Sequence, residues 1–103
     1  MPARHATATC HCGAVVLSVS FPEGLPTPIK CDCSICKRRG VEVLPTALKN
    51  VSVTKGADML TLYQFNTFTA KHYFCSICGI YTHHQRRANP KQFSINTGCI
   101  DNL

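Results

Sequence analysis

Nothing in this sequence is both long and apolar. No hydrophobic run approaches the ~18 residues needed to cross a bilayer as a helix. Met1-Pro2-Ala3-Arg4-His5 carries no apolar stretch of the kind that directs secretion. No segment repeats its apolar residues every 3.6 positions, and low-complexity tracts and linkers are missing as well. These absences argue against a membrane protein, a helical bundle and a string of separate units. What is expected instead is one small domain over residues 1–103, placed in the cytoplasm, since a chain of this length closes a single core and leaves nothing for a second.

Cysteine, by contrast, is abundant, with eight in 103 residues. In a reducing compartment so many thiols require a metal or a catalytic use. A secreted disulfide scaffold is the competing reading, and the spacings oppose it. Cys10 and Cys12, and again Cys31 and Cys33, stand one residue apart, which is awkward for a cystine and suits a shared metal ion. The formal charge of +6 invites nucleic acid, yet it counts every thiol as neutral. Zinc with four thiolates carries a net −2 and zinc with three a net −1, so one site of each kind lowers +6 to +3. That is an ordinary surface.

The remaining pattern is that of a mostly β protein. Ala14 to Ser20 alternates, with Val15, Leu17 and Val19 on one face. Three prolines and a glycine in Phe21 to Pro28 make a loop. Short β-branched or aromatic runs follow at Val41 to Leu44, Val51 to Thr54, Leu60 to Phe65, Ala70 to Phe74, Ile80 to His83 and Phe93 to Asn96. Turn signals at Lys55 to Asp58 and at Ala88 to Pro90 separate some of them. Helix is expected only as one short turn near residues 34–39.

The cysteines form unequal groups. Cys12 is followed by Gly13 and Cys78 by Gly79, the glycine a zinc knuckle uses to turn with positive φ while amides point at sulfur. Pairing these outer groups gives a closed structural zinc site of Cys10, Cys12, Cys75 and Cys78. The middle group, Cys31, Cys33 and Cys36, runs into Lys37-Arg38-Arg39 instead of glycine. Three sulfurs leave a metal one open position, as catalytic zinc sites do. Cys99 either supplies a fourth ligand there, making both sites structural, or is a buried free thiol beside Ile100. Lys37, Arg38 and Arg39 are a solvated charge run or, set against the open site, anchors for an anionic thiol ligand.

The histidines carry less weight. His5 is expected in a frayed tail and His11 to point away from the metal. His72 alternates with Phe74, and the adjacent His83 and His84 face opposite sides of their strand. One of these three reaching a substrate is a minority reading beside packing or surface roles.

Four motifs together carry a resemblance: Cys10-His11-Cys12-Gly13-Ala14-Val15, Cys31 to Gly40, Phe74 to Gly79, and Asn96 to Asp101. They resemble the glutathione-dependent formaldehyde-activating enzyme family, shared with the centromere protein V domain, over almost the whole chain. The resemblance implies a β-tent fold of short antiparallel sheets and two zinc ions. It matches Cys10, Cys12, Cys75 and Cys78 to the structural ligands and Cys31, Cys33 and Cys36 to a second, labile site. Asp32 departs from the family pattern, where histidine is common, and an acidic residue there disfavours an anionic ligand. The implied activity is that of a carbon–sulfur lyase, handling the adduct of glutathione or another thiol with formaldehyde or a small aldehyde. Two other readings stand beside it. One is a zinc-stabilised binding module in which Lys37, Arg38, Arg39, Arg86 and Arg87 meet phosphates, though no aromatic residues interleave with them. The other is a structural zinc protein without a small-molecule substrate.

Overall fold

The computed structural model describes residues 2–31 and 33–101; Asp32, expected above to disfavour an anionic ligand, lies outside them. Short alternating runs become strands as expected. In chain order they are β1 (Arg4–Thr9), β2 (Val16–Phe21), β3 (Val43–Ala47), β4 (Val51–Lys55), β5 (Leu60–Tyr63), β6 (Lys71–Cys75), β7 (Tyr81–Gln85) and β8 (Gln92–Asn96). The helical turn is α1 (Ser34–Arg39), ended by Gly40 in the left-handed region at φ 66°. No helix among the described residues is long and apolar enough to cross a membrane.

Two antiparallel sheets result. One has the order β1-β2-β4 and the other β3-β8-β7-β6-β5. Because side chains alternate along a strand, β2 sends Leu17, Val19 and Phe21 inward together with the preceding Val15, and all four are buried. They share one apolar cluster with Leu44 of β3 and Ile95 of β8, so both sheets rest on the same core.

The first strand corrects the sequence reading. His5 does not lie in a frayed tail: it pairs with Ser20 across β1 and β2, and its Nε2 meets Ser18 Oγ at 2.6 Å. The inward residues of β1 are Ala6 and Ala8, whose small side chains give little strand signal, so the neighbouring strand decides the conformation.

Local connections place the cysteines. Phe21, expected in the loop, instead ends β2; the loop after it, through Pro28, is followed by a two-bond bridge between Ile29 and Val43, which fixes the chain just before Cys31 against β3. Cys10 and Cys12 sit in the β1–β2 turn of one sheet, while Cys75 ends β6 and Cys78 sits in the β6–β7 turn of the other. Gly56, at φ 77°, lies so close to Ala14 that a Cβ would overlap the Ala14 carbonyl. This contact presses the β4–β5 turn against the first cysteine turn.

Candidate metal centres and the adjoining cavity

All eight cysteines are free thiols. Cys10, Cys12, Cys75 and Cys78 bring their sulfurs within 4.8 Å of one another. Cys10 Sγ to Cys12 Sγ and Cys12 Sγ to Cys75 Sγ are both 3.7 Å. A tetrahedron with Zn–S bonds of ~2.3 Å has edges of about 3.8 Å, so the donor set fits a zinc ion with little adjustment. Both predicted knuckle glycines have the required backbone, Gly13 at φ 80° and Gly79 at φ 76°. Amides converge on sulfur in turn: Val15 N–H donates to Cys10 Sγ at 3.3 Å and Ile77 N–H to Cys75 Sγ at 3.4 Å. The backbone N–H groups of Cys12 and Ile80 pull the Cys78 thiol down to about 6, so this turn favours a thiolate even before a metal arrives.

The second cluster holds Cys31, Cys33 and Cys36, again within 4.8 Å. Cys33 caps the start of α1 and Cys36 lies one turn along it, which puts their side chains on one side of the helix. Cys31 and Cys33 are exposed and Cys36 is buried. Burial, with the neighbouring Cys33 and Cys31 sulfurs, pushes the Cys36 thiol up to about 12. Three crowded sulfurs do not all ionise on their own, and a cation that accepts the charge removes the conflict. The donor set therefore fits a metal that takes three thiolates.

Cys99 is buried apart from both clusters, its thiol donating to the Tyr81 carbonyl at 3.6 Å. Burial raises it to about 11, with Cys10 and Cys78 adding to the effect. It packs in the core cluster that also holds Cys10 and Cys75, and its sulfur joins neither group of metal-ligand sulfurs.

The basic run divides. Lys37 and Arg38 are exposed, and Arg38 Nη1 donates to its own helix at Ser34 O, 2.9 Å away. Arg39 turns inward: its guanidinium lies 3.7 Å from the centre of the Tyr81 ring and Nη1 donates to His72 Nδ1 at 3.1 Å. Through Tyr81 and His72, Arg39 ties α1, which carries Cys36, to the larger sheet.

A cavity of about 240 Å³ adjoins the three-cysteine cluster and includes Cys31, Cys33 and Cys36 in its wall. Its floor follows from strand register. His72 pairs with His84 and His84 with Ser94, so the three stand in a row on one face of β6, β7 and β8, and all line the cavity. Phe65, Asn66 and Thr67 close one side, while Arg86 and Arg87 bring positive charge to another. His83 points to the opposite face, as expected for a neighbour in a strand, and stacks on Tyr73 at 4.8 Å. His11 is exposed.

Sequence reading singled out the three thiols and saw all three strand histidines, but gave none of the latter a place. Arg86 and Arg87 were assigned only to a nucleic-acid reading. The Phe65 to Thr67 wall was not foreseen, since no short-range spacing reports which loops a sheet brings together.

Residues 5–103 match the family described as glutathione-dependent formaldehyde-activating enzyme. Among solved structures, the crystal structure of a Rhodobacter sphaeroides protein, a structural genomics target, is 48% identical in sequence. It superposes with a TM-score of 0.89, covering 94% of this chain and 89% of that one.

Proposed function

The chain belongs to the glutathione-dependent formaldehyde-activating enzyme family, and we propose that it joins glutathione or a similar thiol to formaldehyde or a small aldehyde, as a carbon–sulfur lyase acting in either direction. The observation that carries this reading is the inequality of the two clusters: four sulfurs caged in turns, three sulfurs beside a cavity. Cys10, Cys12, Cys75 and Cys78 would hold one zinc ion and Cys31, Cys33 and Cys36 a second. Bound there, zinc supplies a site at which a fourth sulfur is favoured as thiolate at neutral pH.

The chain's own residues do the rest. Arg86 and Arg87 meet the carboxylates of the thiol ligand, and the exposed Lys37 and Arg38 on α1 add to the same attraction. Ile29, Val43 and Phe65 pack against its apolar parts and displace water. Arg39 anchors α1, and Cys36 with it, to the larger sheet through Tyr81 and His72. In the overall reaction the S–H bond breaks, a C–S bond forms to the carbonyl carbon, and the proton ends on the carbonyl oxygen. The reverse reaction returns it. Such a cycle suits the reducing interior of a cell, where both cysteine clusters stay reduced.

Thiols add to formaldehyde without help, so the test must measure rate above that background. Exchange NMR between free glutathione and S-hydroxymethylglutathione supplies it. Zinc-loaded protein should accelerate the exchange with saturation in glutathione. An unchanged rate together with no glutathione binding overturns the reading, and steeply salt-dependent binding to nucleic acid in its place would favour the binding-module alternative.

A further inference from the structure

His72 presents an unusual arrangement. Its side chain is 3% exposed, and its Nε2 has no hydrogen-bond partner among the described residues. The ring cannot turn freely to find one. It stacks between Phe65, 5.6 Å away, and His84, 4.9 Å away. Its other nitrogen, Nδ1, receives Arg39 Nη1 at 3.1 Å. A guanidinium only donates, so Nδ1 must accept, and the proton of the neutral ring must then sit on Nε2. A buried N–H donor with no acceptor is costly and needs an explanation. His72 is also part of the cavity wall, in the same row as His84 and Ser94 and in the same cavity as the three thiols.

Resting on the thiol–aldehyde reading above, we infer that His72 Nε2–H is the donor that receives the substrate oxygen: the aldehyde carbonyl in one direction, the hydroxyl of the thiol adduct in the other. Addition of sulfur to the carbonyl moves negative charge onto that oxygen, and a fixed donor in a closed site favours the change. Arg39 makes His72 a constant donor. Burial, with the adjacent guanidinium, holds the ring down to about 4, so it stays neutral and in one tautomer over the working range. The substrate class that follows is a thiol adduct bearing a hydroxyl on the carbon next to sulfur. A thioether of the same size leaves the donor unsatisfied.

The experiment follows the ring nitrogens of zinc-loaded wild-type protein by long-range proton–nitrogen NMR during addition of glutathione, then of glutathione with formaldehyde. Glutathione alone should move cavity resonances and leave His72 Nε2 in place; the adduct should shift Nε2 and protect its proton from exchange. His72→Phe keeps the ring stack and removes the donor. It should lower kcat by about tenfold, the worth of one such hydrogen bond, with the KM for glutathione little changed. His72→Gln, which offers an amide N–H, should recover part of the loss. If glutathione moves no cavity resonance, the thiol reading fails and takes this assignment with it. If glutathione binds but the adduct leaves Nε2 unmoved, or if His72→Phe retains two zinc ions and full kcat, the assignment alone fails. Should His72→Phe not fold, the wild-type resonance and His72→Gln decide.

Discussion

At Gly56 two requirements coincide, a positive φ and a backbone that passes against the Ala14 carbonyl. Gly79 has the first without the second, since a Cβ there meets nothing within 4 Å. A left-handed alanine costs roughly 1–2 kcal/mol from backbone sterics alone. Gly79→Ala should therefore lower stability by about that amount, and Gly56→Ala by clearly more, because its Cβ must also move backbone; thermal unfolding at saturating zinc measures both. His83 makes a second prediction. Burial against Tyr73 and Phe93 pushes it down to about 4, below the ~6.5 of an unfolded chain. On acidification the unfolded chain takes the proton first. Stability from this group is thus complete above about pH 6.5 and drains as pH falls toward 4. His83→Phe should make the slope of unfolding free energy shallower by about 1.4 kcal/mol per pH unit inside that window, compared with wild type under the same metal conditions. Metal loss on acidification affects both proteins and drops out of the difference.

The cysteine turns link elements, and they do so unequally. The four-cysteine cluster joins the β1–β2 turn to the β6–β7 turn, one from each sheet, across a loop of more than sixty residues. The three-cysteine cluster lies within six residues at the start of α1 and joins nothing distant. Cys75→Ser should accordingly lose metal and fold together, as small zinc modules do, because zinc binding worth ~10 kcal/mol exceeds what a core this size supplies. Cys36→Ser should lose one zinc ion, retain the strand signature in circular dichroism and lose thiol exchange. Seven strands and α1 were legible because Val15, Leu17 and Val19, or the runs at Tyr81 and Phe93, alternate within a few positions. The first strand was not, because Ala6 and Ala8 borrow their conformation from β2. The caged site was legible for an equally local reason, the glycines after Cys12 and Cys78. The cavity was not: His72, His84 and Ser94 lie far apart in sequence, and only strand register sets them side by side. Arg39 was read as part of a charge run, and nothing in Lys37-Arg38-Arg39 tells which of the three turns inward to Tyr81.

Taken as one molecule, the protein sets four cysteines able to hold a metal ion where its sheets meet and three more at the start of a short helix beside a cavity. The function proposed above assigns fold stability and chemistry to different ions. Cadmium substituted at both sites reports each by its own resonance, so 113Cd NMR during a glutathione titration tests this division directly. Two resonances are expected, one indifferent to glutathione and one that shifts with saturation as a fourth sulfur enters. Two resonances that both stay fixed, or a single resonance at full loading, would contradict it.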